Sequence, residues 1–159
     1  MNKQIVIING TGGSGKDTFV EFCQKYGHVM NFSSVDKVKE IARAIGWDGK
    51  KTEKERKFLS DLKRLTTEFN DMSFNSIIEA VDRFQRSDDT ILFVHIREPE
   101  EIKRAADFFH AKTLLVKRVG LANITSNYSD ANVENYPYDF IIENTTLLDL
   151  EKQAKEISR

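Results

Sequence analysis

A glycine-rich stretch near the start of the chain constrains its fold more than any other feature. The stretch contains, in order, Gly10, Thr11, Gly12, Gly13, Ser14, Gly15, Lys16, Asp17 and Thr18. It follows a β-branched apolar run at residues 4–9, which predicts a buried strand. It precedes a helical pattern over residues 15–26. A G-x-x-x-x-G-K sequence between a strand and a helix is typical of a loop that wraps around phosphate groups.

The chemistry of the loop residues supports phosphate binding. Glycines permit backbone angles that other residues resist, so several backbone N–H groups can point at the same phosphate oxygens. The N-terminus of the following helix adds the positive end of its dipole. Lys16 is a mobile cation that can reach the β- and γ-phosphates of ATP. A glycine-rich turn without a ligand is the alternative, but the lysine and the strand–loop–helix context argue against it.

Asp17 stands after the lysine, where the usual motif has Ser or Thr as a ligand for Mg²⁺. In one interpretation its carboxylate is a metal ligand, with Thr18 available to the α-phosphate. In the other, Asp17 caps the following helix by accepting hydrogen bonds from backbone N–H groups, and Mg²⁺ is held through water. The sequence leaves both interpretations open.

Strand and helix patterns alternate along the rest of the chain. Apolar runs at residues 29–32, 90–96, 113–116 and 139–142 predict four further strands. The alternation predicts one α/β domain, spanning residues 1–159, with a parallel sheet. Roughly three helices are predicted over residues 34–88, whereas a connection between parallel strands needs only one. We expect this helical insertion to cover a substrate site. Thr52, with Glu55 three residues on, matches a capping box at the start of one of these helices.

Composition excludes several classes of partner. The 24 Lys and Arg residues nearly balance the 25 Asp and Glu residues, which gives no overall field for binding a nucleic acid polymer. Cys23 is the only cysteine, and its apolar helical surroundings predict a core residue rather than a nucleophile. No apolar run is long enough for a membrane span or a signal peptide, so we expect a cytoplasmic protein without membrane partners.

Two arginines directly follow predicted strands. Arg97 comes after the third strand and Arg118 after the fourth. In doubly wound sheets, ligands bind beyond the carboxyl ends of the strands. Both are therefore candidate catalytic residues that, with Lys16, stabilise charge on a transferring phosphoryl group. The alternative for Arg97 is an exposed ion pair with Glu101.

Five segments resemble P-loop nucleoside-monophosphate kinases, and in particular the phage and bacterial deoxynucleoside-monophosphate kinase family. The loop contains the string GKDT, and residues 32–40 (FSSVDKVKE) are similar to the family's F-S-x-A-D-x-L-K-E segment. Residues 56–59 are similar to its R-x-x-L helix, and residues 97–101 to its R-F-P-N-E stretch. Residues 139–144 are similar to its closing Y-D-x-x-I-x-N strand and turn. Together these segments span nearly the whole chain.

The resemblance implies a three-layer α/β/α P-loop fold with a five-stranded parallel sheet in the order 2-3-1-4-5. It implies ATP and Mg²⁺ as cofactors, and phosphoryl transfer to a nucleoside monophosphate, with a deoxynucleotide favoured. The helical insertion would bind this small-molecule acceptor, with Lys39 and Arg56 as ligands of its phosphate. Asn144 would lie beside the base of the donor, and residues from about 118 to 137 would form a lid.

Two departures from the family keep other functions open. The family places Asp two residues before the arginine, where this chain has His95, and the lid has no arginine after Arg118. A neutral histidine is a poor substitute for a carboxylate near Mg²⁺. One alternative is a P-loop kinase for another metabolite, such as dephospho-coenzyme A, phosphomevalonate or shikimate. The other is a nucleotide-binding module without turnover.

Overall fold

The structure, a computed structural model, describes residues 2–120 and 132–159, in which strands alternate with helices. The strands are β1 (Gln4–Asn9), β2 (Val29–Ser33), β3 (Ile91–His95), β4 (Lys112–Arg118) and β5 (Phe140–Asn144). The helices are α1 (Lys16–Tyr26), α2 (Asp36–Ala44), α3 (Glu53–Asn70), α4 (Met72–Gln85), α5 (Pro99–Phe109) and α6 (Leu147–Ser158). None of these described helices is long and apolar enough to cross a membrane.

The five strands form one sheet in the order β2-β3-β1-β4-β5, and every neighbouring pair is parallel. The α/β class and the strand order implied by the resemblance are confirmed. Parallel pairing brings the carboxyl ends of the strands to one edge, where Ile8 is opposite His95 and Arg118 is opposite Asn144. The glycine-rich loop after β1 therefore shares this edge with Arg97, which follows β3.

Helices cover both faces of the sheet, which gives the three layers. Successive side chains of a strand point to opposite faces. On one face, Ile8 packs in a cluster with Phe19 of α1 and Leu150 of α6. On the other face, Ile7 belongs to a cluster with Ile102 of α5. Burial on both sides explains why β1 is a continuous apolar run rather than an alternating one.

Helices α2, α3 and α4 form the insertion between β2 and β3. Asp71 joins α3 to α4 in a left-handed conformation, with φ 57°. Its carboxylate accepts hydrogen bonds of 3.0 and 2.6 Å from the guanidinium of Arg104 on α5. This ion pair ties the insertion to the helix that follows β3.

The predicted capping box at the start of α3 is wrong. Thr52 is the N-cap residue, but its side chain makes no cap hydrogen bond. A different contact holds this end of the helix, because Arg56 Nε donates to the carbonyl of Lys51 at 2.9 Å. A longer side chain from the second turn thus ties down the residues before α3.

Candidate active site

Glycines at the predicted positions give the loop between β1 and α1 its backbone geometry. Gly13 (φ 80°) and Gly15 (φ 94°) adopt left-handed conformations, which are costly for residues with a Cβ. The Ser14 N–H donates to the Thr11 carbonyl at 3.0 Å, and the Phe19 N–H donates to the Gly15 carbonyl at 2.8 Å as α1 begins. The turn at Gly13 is exposed. The loop therefore presents its backbone to solvent at a helix N-terminus, where phosphate is favoured.

The loop is seated on the ends of β4 and β5. Asn144 Nδ2 donates to the carbonyl of Ser14 at 3.0 Å, and both residues are buried. A Cβ on Gly15 would collide with this same Nδ2 atom. A Cβ on Gly10 would lie 2.9 Å from the carbonyl oxygen of Val116. The side chain of Asn144 thus supports the loop from below, while its contact with the donor's base stays a prediction.

Lys16, Asp17 and Arg97 surround His95 at the end of β3. Lys16 is half-buried, and Asp17 is exposed on the first turn of α1. Burial, followed by the positive charge of Lys16, lowers the pKa of His95 to about 4; Arg97 adds to this effect and Asp17 opposes it. His95 Nε2 and Asn31 Oδ1 are 2.5 Å apart, within hydrogen-bond distance. His95 is therefore neutral at pH 7 and brings no charge to this site.

A second group of cations lies on the insertion side of Arg97. Lys39 of α2 is half-buried. Burial lowers the pKa of Lys39, and the charges of Lys51, Arg43 and Arg97 lower it further, against the raising effect of Asp36. The positive charges that act on Lys39 here would favour an anion. The sequence predicted Lys39 here, and it missed Lys51 and Arg43, which carry no motif of their own.

The two remaining predicted arginines occupy different surroundings. Arg56 is exposed and contacts the carbonyl of Lys51, so it lies beside the cations around Lys39. Arg118 is exposed at the end of β4. It lines a shallow, open cleft together with Thr11 of the loop and Val133. The structure therefore places Arg118 next to the glycine-rich loop.

A larger cavity, of about 100 Å³, lies between the insertion and α5. It is lined by Ser34, Thr67, Asp71, Ser73, Phe74, Ile77, Ile96, Glu101 and Arg104. The Ser73 side chain is buried, and its hydroxyl has no hydrogen-bond partner among the described residues. The Arg104 guanidinium lies 3.7 Å from the centre of the Phe74 ring. Ile96 in this lining directly precedes Arg97 in the sequence.

Asn9, the last residue of β1, is a site residue that the sequence analysis missed. It is completely buried, with 0% exposure. Its Oδ1 accepts from the Gly10 N–H at 2.9 Å, and its Nδ2 donates to the Arg97 carbonyl at 3.3 Å and to the Tyr138 hydroxyl at 2.9 Å. Asn9 could have been identified from its position, because it is an amide at the end of an apolar strand and directly before the first glycine. A buried amide needs hydrogen-bond partners.

Residues 132–139, which we call the return segment, lead into β5. Val133 is buried, and Tyr138 donates from its hydroxyl to the Val133 carbonyl at 2.5 Å. The Asp139 carboxylate accepts from the Thr113 N–H of β4 at 2.9 Å. Residues 121–131, most of the predicted lid, lie outside the described residues. The described end of that predicted lid packs onto the sheet.

Asp17 fits a role in holding Mg²⁺ through water. Within residues 2–120 and 132–159, no three Asp, Glu, His or Cys side chains cluster closely enough to hold a metal ion. Mg²⁺ in phosphoryl-transfer sites usually needs only one or two carboxylates, with phosphate oxygens and water completing its shell. The N-cap residue of α1 is Gly15, which has no side chain, and Asp17 lies in the first turn of the helix. The carboxylate of Asp17 is thus exposed beside Lys16.

Comparison with known proteins shows the fold. No protein family matches the sequence, and no curated protein matches it. Among solved structures, a provisionally assigned kinase from Chloroflexus aurantiacus is similar, with a TM-score of 0.55, 8% identity and 98% of each chain covered. Thymidylate kinase from Ehrlichia chaffeensis has a TM-score of 0.50 at 13% identity, over 100% of both chains.

A sugar kinase from a Janibacter species is also similar. Its TM-score is 0.50 at 13% identity, with 97% of this chain and 92% of that chain covered. The TM-scores and coverage show a shared fold over nearly the whole chain, and identities this low show nothing beyond the fold. Because kinases for different acceptors share it, the fold by itself names no acceptor.

Proposed function

We propose that this protein is a P-loop kinase that transfers the γ-phosphoryl group of ATP to a nucleoside monophosphate, with a deoxynucleotide favoured. The position of Arg97 supports this most. Arg97 follows β3, which lies in the sheet between β1, which leads into the glycine-rich loop, and β2, which leads into the insertion with its Lys39. Arg97 therefore lies between the glycine-rich loop and a second group of cations. That arrangement suits a reaction between two phosphate-bearing molecules.

The residues of the chain supply position and charge. The loop N–H groups and Lys16 hold the β- and γ-phosphates, while an oxygen of the acceptor phosphate attacks the γ-phosphorus and ADP leaves. Arg97 and Arg118 stabilise the negative charge that spreads over the transferring group. Asp17 would hold Mg²⁺ through water, and the ion neutralises phosphate charge when it is bound. Such catalysis consists mainly of positioning and electrostatics.

The insertion supplies a site for the acceptor. The cations around Lys39, with Lys51 held by Arg56, would bind its phosphate. The cavity between the insertion and α5 has the mixed lining of a small-molecule site, with apolar walls and a few polar groups. Its unpartnered Ser73 hydroxyl would bond a polar edge of the acceptor's ring. Asn144 would lie beside the base of ATP.

The test is a phosphotransfer screen of the purified protein with Mg·ATP against all common nucleoside monophosphates and their deoxy forms. We expect transfer to at least one of them. Lys16→Ala should lower that activity at least 100-fold, because removal of such a charge ligand costs about 3 kcal/mol of transition-state stabilisation. Lys25→Ala, at the exposed far end of the same helix, is the control and should leave activity unchanged.

Other results would redirect the assignment. Transfer to dephospho-coenzyme A, and to no nucleotide, would make this a kinase for another metabolite. ATP binding without transfer to any acceptor would favour a binding module, which the neutral His95 at the position of the family's Asp makes reasonable. Turnover that survives Lys16→Ala within a few-fold would mean that the glycine-rich loop is not the active site.

A further inference from the structure

Asn9 connects three parts of the site that are far apart in sequence. Its amide contacts the N–H of Gly10, where the glycine-rich loop begins, and the carbonyl of Arg97 after β3. It also contacts the hydroxyl of Tyr138 in the return segment. We propose that Tyr138 is a positioning residue, which acts through Asn9 to fix Arg97 and the start of the loop. The importance of Arg97 rests on the proposed function, whereas the hydrogen-bonded link does not.

Both polar atoms of the Asn9 amide are held by hydrogen bonds. Both Nδ2 protons have acceptors, and Oδ1 has a backbone donor. The amide cannot rotate by half a turn without losing these bonds, because its two ends meet partners of opposite character. Burial at 0% exposure removes water as a substitute partner. The orientation of Asn9 therefore depends on its three neighbours.

The Tyr138 hydroxyl is itself held by the return segment. It accepts from Asn9 and donates to the carbonyl of Val133, which is buried. Burial raises the pKa of Tyr138 to about 12, so the hydroxyl keeps its proton at neutral pH. The next residue, Asp139, is bonded to Thr113 of β4. The position of the hydroxyl thus follows the position of the return segment on the sheet.

Loss of this hydroxyl should affect the chemical step more than nucleotide binding. Without it, Asn9 keeps the longer 3.3 Å bond to the Arg97 carbonyl and the bond to Gly10, and its amide gains freedom to turn. Lys16 and most of the loop N–H groups are not part of the link. Small displacements of catalytic groups cost much in rate, up to about 100-fold for 1 Å.

The experiment compares Tyr138→Phe with Tyr136→Phe. The two rings are in contact, with centroids 5.2 Å apart, so both variants remove one hydroxyl from the same segment. We expect Tyr138→Phe to lower kcat about tenfold with KM for ATP within about twofold of wild type. Hydrogen exchange of the Gly10 amide, followed by NMR, should accelerate about tenfold, since the bond to Asn9 loosens. Tyr136→Phe should leave both quantities unchanged.

Three outcomes would overturn the proposal. Equal Gly10 exchange in the two variants would show that the hydroxyl does not hold Asn9. Equal acceleration at Gly10 and at the core amide of Ile8 would show a general loss of stability. Faster Gly10 exchange with unchanged kcat would leave a link without a positioning role. If the wild type transfers no phosphate at all, the proposed function fails, while the exchange data still decide whether the link exists.

Discussion

At the scale of single residues, Asp17 brings a negative charge next to a phosphate chain. That repulsion is tolerable where a cation lies between them. We expect the affinity for ATP to depend steeply on Mg²⁺ in the wild type, and Asp17→Ala to flatten that dependence. Titration of both proteins with ATP in a calorimeter, at several Mg²⁺ concentrations, measures this dependence. Identical metal dependence in both proteins, with about 1 kcal/mol lost from the unfolding free energy, would instead make Asp17 a helix-end residue.

His95 should make stability depend on pH. Its folded-state pKa is about 4, below the ordinary value of 6.5, mainly because of burial. Between these values the unfolded chain binds a proton that the folded chain does not, so the unfolding free energy falls as pH drops from 6.5 towards 4. The slope from one such proton is at most about 1.4 kcal/mol per pH unit.

Chemical denaturation at several pH values checks this dependence, with His95→Asn as the comparison. His28 and His110 remain in both proteins, so the comparison isolates the contribution of His95. We expect a shallower pH dependence in His95→Asn between pH 4 and 6.5. Parallel curves for the two proteins would mean that folding does not lower the pKa of His95.

The sequence alone identified those candidate residues that belong to a short local motif or directly follow a predicted strand. The glycines, Lys16 and the arginines after strands belong to this group. It missed Asn9 and Tyr138, because their roles arise from contacts over 129 positions of sequence separation. The sequence showed His95 only as a departure from the family pattern. The burial and nearby cations that keep its side chain neutral come from contacts formed on folding.

At the scale of elements, the fit between the glycine-rich loop and β5 is tight. Gly15 and Gly46 both have positive φ, of 94° and 111°. A Cβ on Gly15 would also collide with Asn144 Nδ2, whereas nothing lies within 4 Å of one on Gly46. We expect Gly15→Ala to lose about 1–3 kcal/mol more unfolding free energy than Gly46→Ala, since overpacking adds to backbone strain. Equal losses in denaturation would show that Asn144 moves away freely.

Apolar periodicity predicted the helices and strands, but it could not predict which of their side chains are buried. The apolar spacing of α3 indicated a helix, yet α3 has no buried residue, and Phe69 at its end is 86% exposed. The polar, aperiodic sequence before β5 indicated a surface loop, yet Val133 within it is buried. In both cases burial is decided by which distant segment lies alongside, which local patterns do not record.

At the scale of the whole molecule, alternation of strands and helices sufficed for the fold class. The strand order came from the resemblance, because a parallel sheet permits several orders with the same element sequence. The cavity proposed for the acceptor could not be predicted from the sequence. Its walls come from α3, α4, α5 and the residues after β2 and β3. Such a site exists only once the layers have been assembled.

Cys23 offers a measure of that assembly, because it is the only cysteine and is completely buried. It packs in the cluster formed by the sheet, α1 and α6, and burial raises its pKa to about 11. At pH 8 about one thiol in a thousand would be ionised in the folded state, so labelling by iodoacetamide requires unfolding. We expect the labelling rate to rise with denaturant as steeply as global unfolding does.

Mg·ATP at about 100 times its dissociation constant should slow this labelling about 100-fold, which corresponds to about 2.7 kcal/mol of stabilisation. Lys16→Ala, which lacks the phosphate contact, should lose most of this protection at the same ATP concentration. Labelling in the native protein at the rate of a free thiol would contradict the buried position of Cys23. A slow labelling rate that changes with neither ATP nor denaturant would show that α6 opens locally. Bound nucleotide can slow only an opening that also disrupts the glycine-rich loop.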